Sequence, residues 1–415
     1  MNNQALVKES GSLNSIQDVD WRAIQSQFSL SKEWVHLAQM YLTSHPQKVK
    51  DAIEFYKYKL DKNPVHYVAE NFRTYDEAVA GAAGEYLQCI PGAIALTDST
   101  TMGLSILYHG LRLNPGDEIL TTTHGHYSCI IPLELAAKRS KASVQKIELY
   151  QDSSEASTEE LVNKLINAIR PKTRFVAITY VHSSTGIKLP IQQIANEIKK
   201  INLSRNSSDR IYLCVDAVHA FGIENFNIEE LGCDFLIAGT HKWLFGPRGT
   251  GILYAKEEVW DLVDPIIPPY SIASSRWRGE SPPGPINFLQ KITPGGFHSY
   301  EYRWALKEAF EYHLEIGKEN IQNRTHYLNT LLKEGLMEIP HLILHTPLSQ
   351  ELSSGIVCFE IKGMGQKEVV KKLRDARIIG TTTPYRRSFA RLTPSILNTE
   401  EDIFRSIHVL ENILP

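Results

Sequence analysis

The chain of 415 residues has no long apolar run, no closely spaced cysteine pair and no large charge of either sign. A membrane-spanning helix needs roughly 18–20 consecutive apolar residues, and no segment approaches that, so no membrane partner is expected. The net charge of −3 leaves no basic footprint and argues against nucleic acid as a partner. Five cysteines, Cys89, Cys129, Cys214, Cys233 and Cys358, form an odd set without Cys-x-x-Cys spacing. A disulfide framework and a structural zinc site are therefore not expected, and a cytoplasmic location is the simplest reading. Met1–Asp20 is polar and lacks the apolar centre of a secretory signal, so it is read as a flexible tail. No Gly-x-Gly-x-x-Gly follows a strand and no Walker motif occurs, which removes the usual support for dinucleotide or nucleoside-triphosphate chemistry.

What is present is an ordinary globular composition, 42% hydrophobic and 22% charged. Short apolar runs alternate with amphipathic segments between about residues 90 and 260. The strand candidates are Ala93–Thr97, Glu118–Thr122, Val144–Leu149, Arg174–Tyr180, Ile211–Val215, Asp234–Ala238 and Gly251–Tyr254. Helical patterns fall at Met102–Leu113, Tyr127–Lys138, Thr158–Ile169 and Ile191–Ile201. This alternation predicts an α/β fold: a large domain with a mostly parallel seven-stranded sheet flanked by helices. Residues 21–90 read mainly as helices with breaks at His45-Pro46 and Asn63-Pro64, a segment joining a small domain. Asp261–Gly296, rich in Pro and Gly, reads as a long loop leaving the sheet. Helices at Ser299–Gly317, Lys318–Gly335, Gln366–Asp375 and Thr399–Leu414, with strands at Gly355–Glu360 and Ser388–Leu392, predict a smaller C-terminal α/β domain. The expected division is thus 1–20, 21–90, 91–296 and 297–415.

In a parallel sheet ligands gather at the carboxyl ends of the strands, and the chemically suggestive residues follow the strand candidates. Lys242 stands in Gly239-Thr240-His241-Lys242-Trp243. A lysine at such a strand end is either a surface residue snorkelling past Trp243 or a desolvated amine able to form a Schiff base with a carbonyl cofactor. Asp216 closes an apolar strand, where a carboxylate needs a positive partner, either a protonated cofactor ring nitrogen or an arginine. Ser99-Thr100-Thr101 precedes a helical pattern; the cluster serves as an N-cap or as an anion site for a phosphate. His124 and His126 follow another strand. With His182, His219 and His241 they invite a metal reading, but no Cys or carboxylate stands at ligand spacing, so no metal is assigned. An imidazole stacked flat on a cofactor ring is preferred for His124, with His126 as its rival. Arg391, between apolar neighbours, fits a carboxylate clamp or a structural ion pair.

Together, Asp216-x-x-His219, Thr240-His241-Lys242-Trp243 and the hydroxyl loop at Ser99–Thr101 resemble class V pyridoxal-phosphate enzymes of fold type I. The resemblance runs from about residue 21 to the end and is nearest the isopenicillin-N-epimerase-like branch, which includes C–S lyases. Gly116–Thr122, Ser183–Pro190, Arg391-Leu392-Thr393-Pro394 and Asn398–Glu401 add to it. It implies pyridoxal 5'-phosphate as cofactor, Lys242 as the lysine bonded to its aldehyde and Asp216 as partner of its ring nitrogen. It further implies Thr100, Thr101 and His241 at the phosphate, His124 on the ring and His219 and Ser183 near the phenolic oxygen. Arg391 would hold the carboxylate of an amino-acid substrate. Members are usually homodimers with active sites at the interface, and Thr293-Pro294-Gly295-Gly296 would reach the neighbour's phosphate.

Two departures stand out. Ser183 replaces the asparagine of the desulfurase branch, and Gly380–Tyr385 has no cysteine where desulfurases carry their nucleophile, which argues against persulfide chemistry. The expected function is an aminotransferase-type enzyme, with a C–S lyase or an epimerase as the alternative. A non-catalytic protein of this fold and a metal-dependent hydrolase are the remaining classes.

Overall fold

A computed structural model describes residues 19–281 and 284–414. The expected tail at 1–20 thus lies almost wholly outside the described residues. Thirteen strands occur among the described residues: β1 (Val35–His36), β2 (Ile94–Thr97), β3 (Glu118–Thr122), β4 (Ser143–Ile147), β5 (Thr173–Thr179), β6 (Tyr212–Asp216), β7 (Phe235–Gly239), β8 (Gly251–Ala255), β9 (Leu342–Leu344), β10 (Val357–Ile361), β11 (Ile378–Ile379), β12 (Thr381–Thr382) and β13 (Ala390–Leu392). β2 to β8 form one seven-stranded sheet in the order β2-β8-β7-β6-β5-β3-β4. Only β8 runs antiparallel to its neighbours, β2 and β7. The predicted mostly parallel sheet is the observed one.

The strands are apolar on both faces because both faces are covered. Along β7, Phe235 and Ile237 join a core beneath the helices Thr100–Gly110 and Tyr127–Ser140. Leu236 and Ala238 face the opposite core, which includes residues of the helices Pro64–Leu87, Thr158–Asn167, Ile191–Asn202 and Leu306–Ile316. A smaller antiparallel sheet, β12-β13-β10-β9, packs with residues of the helices Lys318–Met337, Gln366–Asp375 and Glu400–Glu411 around Leu332, Phe359 and Leu392.

Differences from the sequence reading are local. The Asp261–Gly296 stretch is not one loop: it contains the helices Tyr270–Trp277 and Phe288–Ile292, the second started by a capping box between Asn287 and Gln290. Ser299–Gly317 is two helices, Tyr300–Trp304 and Leu306–Ile316, separated at Ala305. β1, β9, β11 and β12 are two or three residues long and give no periodic signal. β1 pairs in parallel with β11, tying the chain near residue 35 to the C-terminal part. Among the described residues no helix is long and apolar enough to cross a membrane.

Candidate active site

β2, β3, β5, β6 and β7 all end on one edge of the large sheet, and the loops that leave there carry the polar side chains. β7 delivers Lys242. Its loop turns sharply: Phe245 N–H donates to the Lys242 carbonyl (3.1 Å) and Gly246 N–H to the Thr240 carbonyl (2.9 Å). Thr43 Oγ1 also donates to the Lys242 carbonyl, at 3.2 Å. Trp243 is buried and anchors the turn. At Gly222 a Cβ would fall 2.5 Å from the Trp243 carbonyl carbon, and φ is +92°, so only glycine lets the two loops pack. The Lys242 backbone is therefore fixed, while its Nζ makes no hydrogen bond or ion pair among the described residues. Loss of solvation pulls its ammonium down to about 8, opposed by Asp216 and assisted by Arg391.

Asp216, at the end of β6, is 2% exposed. Burial pushes its carboxyl up to about 6, although Val218 N–H donates to Oδ1 (3.1 Å) and Lys242 favours the charged form. A cation brought against it would recover much of that penalty. His219, three residues on, accepts a 3.4 Å hydrogen bond at Nδ1 from Trp243 Nε1, which leaves Nε2 to carry the proton.

Ser99 caps the helix Thr100–Gly110, accepting from Met102 N–H at 3.1 Å. That cap leaves the neighbouring Thr100 hydroxyl unused: Thr100 Oγ1 is buried without a hydrogen-bond partner. It sits beside His241 and Gly239, where an added Cβ would lie 2.8 Å from Thr100 Oγ1 and 3.2 Å from His241 Cε1. An orphaned hydroxyl at a helix start, in a cradle left open by glycine, has the chemistry of a phosphate site. Thr101 is exposed at the same helix start.

Arg391, on β13, is 3% exposed and makes no ion pair among the described residues. It donates to neutral acceptors: Nε to Thr381 Oγ1 (3.0 Å), Nη1 to the Ser183 carbonyl (2.7 Å) and Nη2 to the Thr382 carbonyl (3.3 Å). A guanidinium has five N–H donors, so two remain for an anion. Ser183 Oγ is bonded to the Tyr385 hydroxyl at 2.7 Å. Tyr385 was not singled out from the sequence; its only signal there was its place in the cysteine-free Gly380–Tyr385 stretch.

The two histidines of the β3 loop part company. His124 lies flat on Tyr150, centroids 3.9 Å apart and planes 8° apart, and its Nε2 accepts Leu149 N–H at 3.2 Å. His126 caps the helix Tyr127–Ser140 and packs edge-to-face with Tyr385, ring centroids 6.2 Å apart. Burial and the charges of Lys242 and Arg391 hold His126 near 4, whereas neither of those charges depresses His124. The structure thus gathers Lys242, Asp216, His219, His126, Ser183, Arg391 and Tyr385, with Thr100, Thr101 and His241 beside them, and seats His124 on Tyr150. Thr293, in the loop expected to reach a neighbour's phosphate, uses its Oγ1 to accept Leu96 N–H of its own chain (3.0 Å). Among the described residues no cluster of three or more His, Cys, Asp or Glu is arranged to hold a metal.

The family profile described as Aminotransferase class-V matches residues 42–383. The chain belongs to the class-V aminotransferase family. It is a pyridoxal-phosphate-dependent enzyme of fold type I, and the residues above fit that cofactor: a lysine for its aldehyde, a carboxylate for its ring nitrogen and an orphaned hydroxyl at a helix start for its phosphate. Curated relatives of this class-V chain include a cysteine desulfurase from Cronobacter sakazakii, 26% identical over 74% of this chain and 73% of that protein. Another is isopenicillin N epimerase from Streptomyces clavuligerus, 24% identical over 77% of this chain and 80% of that one. Among solved structures, the cystine C–S lyase C-DES in complex with cysteine persulfide superposes with a TM-score of 0.82, at 21% identity over 92% of this chain and 99% of its own. An apo cysteine desulfurase from Thermococcus onnurineus gives a TM-score of 0.81, at 21% identity over 94% and 97%.

Proposed function

We propose that this class-V enzyme is a C–S lyase that eliminates a sulfur substituent from Cβ of a cysteine-type amino acid and releases it as a free thiol, or as a persulfide where the substituent is a disulfide. Relatives named for cysteine desulfuration, and a fold neighbour named as a cystine C–S lyase, support C–S cleavage over the transamination expected first from the sequence. The observation that carries the free-thiol outcome is the state of the cysteines. Cys358 pairs with Arg391 across β10 and β13, is fully buried, and its thiol is pushed up to about 12. Gly380–Tyr385 has no thiol, and burial raises the other four cysteines as well. No cysteine among the described residues is therefore poised to take sulfur.

Pyridoxal phosphate, when bound, supplies an electron sink for the pair left at Cα. Thr100, Thr101 and His241 would hold its phosphate, Asp216 its ring nitrogen, and His219 and Ser183 would stand near its phenolic oxygen. His126, rather than His124, would cover the ring, because it stands beside Tyr385 at the site while His124 is stacked on Tyr150. Arg391 binds the substrate carboxylate with its two spare donors and fixes which Cα bond is aligned to break. Lys242, with an amine near 8, takes the Cα proton at neutral to mildly alkaline pH.

We also infer a cytoplasmic homodimer with sites at the interface. Support comes from unpaired cysteines, and from Tyr270 and Phe297, exposed aromatic rings on a cavity of about 750 Å³ that Thr293 and Pro294 also line. The separate core around Leu332, Phe359 and Leu392 supports the proposed division into 21–90, 91–296 and 297–415.

The purified holoenzyme given cystine or an S-alkyl cysteine, with no keto-acid acceptor, is expected to release pyruvate, ammonia and a thiol or persulfide. Product that appears only with an acceptor, or exchange of the Cα proton without pyruvate, refutes the reading.

A further inference from the structure

Tyr385 comes from the small antiparallel sheet, just beyond β12, and turns toward the large-domain loops. Its hydroxyl is 2.7 Å from Ser183 Oγ, and its ring stands edge-on to His126 at 74°. The Ser183 carbonyl receives Arg391 Nη1 at 2.7 Å. One residue thus joins the phenol and the guanidinium, as a substrate carboxylate and its β-substituent are joined through Cα. Tyr385 is half-buried, so its ring is packed and part of its surface stays open. We infer that Tyr385 is a catalytic residue that donates a hydrogen bond to the sulfur leaving Cβ while Arg391 holds the carboxylate. This rests on the C–S lyase reading above.

The step balances without further reagents. Lys242 Nζ takes the Cα proton, the freed pair becomes the Cα–Cβ π bond, and the Cβ–S pair leaves on sulfur as a thiolate. Burial pushes the Tyr385 phenol up to about 12, above the roughly 8.5 of a cysteine-type thiol, so the phenol keeps its proton and serves as a donor. Ser183 Oγ, its partner at rest, can turn its own hydroxyl as the phenol turns to sulfur. A hydrogen bond to developing negative charge in a water-poor site is among the stronger contributions a single side chain makes.

Two measurements on the holoenzyme test this with Tyr385→Phe, which keeps the ring. In calorimetric titrations, 3-mercaptopropionate is compared with butyrate, which has a methyl in place of the thiol. Tyr385→Phe is expected to weaken 3-mercaptopropionate by about three- to ten-fold, the factor one hydrogen bond supplies, and to leave butyrate unchanged. The variant should also slow pyruvate release from S-ethylcysteine by about ten-fold or more and from β-chloroalanine by under about three-fold, because chloride needs little stabilisation. Equal losses for both members of either pair mean a packing role and overturn the assignment. A wild type that binds 3-mercaptopropionate yet forms pyruvate from no β-substituted amino acid refutes the lyase reading, and the inference with it.

Discussion

A single methyl group tests the phosphate cradle. Gly239 closes β7 with no strain in its backbone, so alanine costs nothing in φ or ψ. Its Cβ, however, would stand 2.8 Å from Thr100 Oγ1, 3.2 Å from His241 Cε1 and 3.4 Å from Thr100 N. All three atoms belong to the surface assigned to the phosphate. Thr100 Oγ1 is buried and unpartnered, so the methyl can turn the hydroxyl aside, but the Thr100 N–H lies in a helix start that cannot retreat. The substitution removes one hydrogen bond to phosphate and screens a second. At about 1.5–3 kcal/mol for a hydrogen bond to a charged group, a net loss of about 2–3 kcal/mol follows, or roughly 30- to 150-fold in cofactor affinity.

The assay is titration of apoprotein with pyridoxal phosphate, followed by the visible absorbance of the bound cofactor. Gly103→Ala is the control, because its Cβ meets Ile237 Cγ2, also at 2.8 Å, on the core side of the same helix. Overpacking there costs about 1–3 kcal/mol of stability without touching the cradle. Gly239→Ala should weaken the cofactor more than it lowers the melting temperature, and Gly103→Ala should do the reverse. Cofactor affinity within about two-fold of wild type in Gly239→Ala would refute the placement of the phosphate beside Thr100.

Lys242→Ala should leave no cofactor attached to the chain after borohydride treatment and mass measurement. In the wild-type apoprotein the rate of covalent attachment should rise about ten-fold per pH unit and level near 8, because only the neutral amine attacks; a rise continuing beyond pH 10 would refute a lowered lysine. Glu224 receives Lys188 Nζ and His326 Nε2, each at 2.8 Å, and Ser354 Oγ at 2.5 Å, joining the large sheet's loops to the C-terminal part. These partners hold its carboxyl near 2, below its usual 4.5. A depressed carboxylate stabilises the fold fully above about pH 4.5 and loses that contribution as pH falls toward 2, amounting to about 3 kcal/mol. Glu224→Gln should therefore lower urea stability at neutral pH by about that amount and flatten its decline between pH 5 and 3; parallel declines for both proteins would argue against the linkage.

The sheet was legible because its strands are buried on both faces and spaced by amphipathic helices, so each reads as a short apolar run whatever its neighbours do. β9, β11 and β12 were not, because two or three residues carry no period and their pairing depends on contacts beyond the strand itself, as distant in sequence as Ile378 with Val35. The Asp261–Gly296 stretch failed for a related reason. Its prolines read as breaks, yet Pro269 stands at a helix start, where the missing N–H costs nothing.

The site was legible in proportion to how far strand geometry fixes a side chain. Asp216 and Lys242 lie within three residues of a strand end, and the sheet alone brings them to one edge. The β3 loop is different. His124 and His126 are two residues apart in a turn whose direction the sequence does not encode, and tertiary contacts decide between them: Tyr150 arrives from beyond β4 to stack on His124, while Ser128 and the start of a helix hold His126. Tyr385 was further out of reach, because its meaning depends on Ser183 and Arg391, one about two hundred residues away and the other on the next strand. Chemistry delivered by a parallel strand can be read along the chain; chemistry delivered across the seam between two sheets requires the fold.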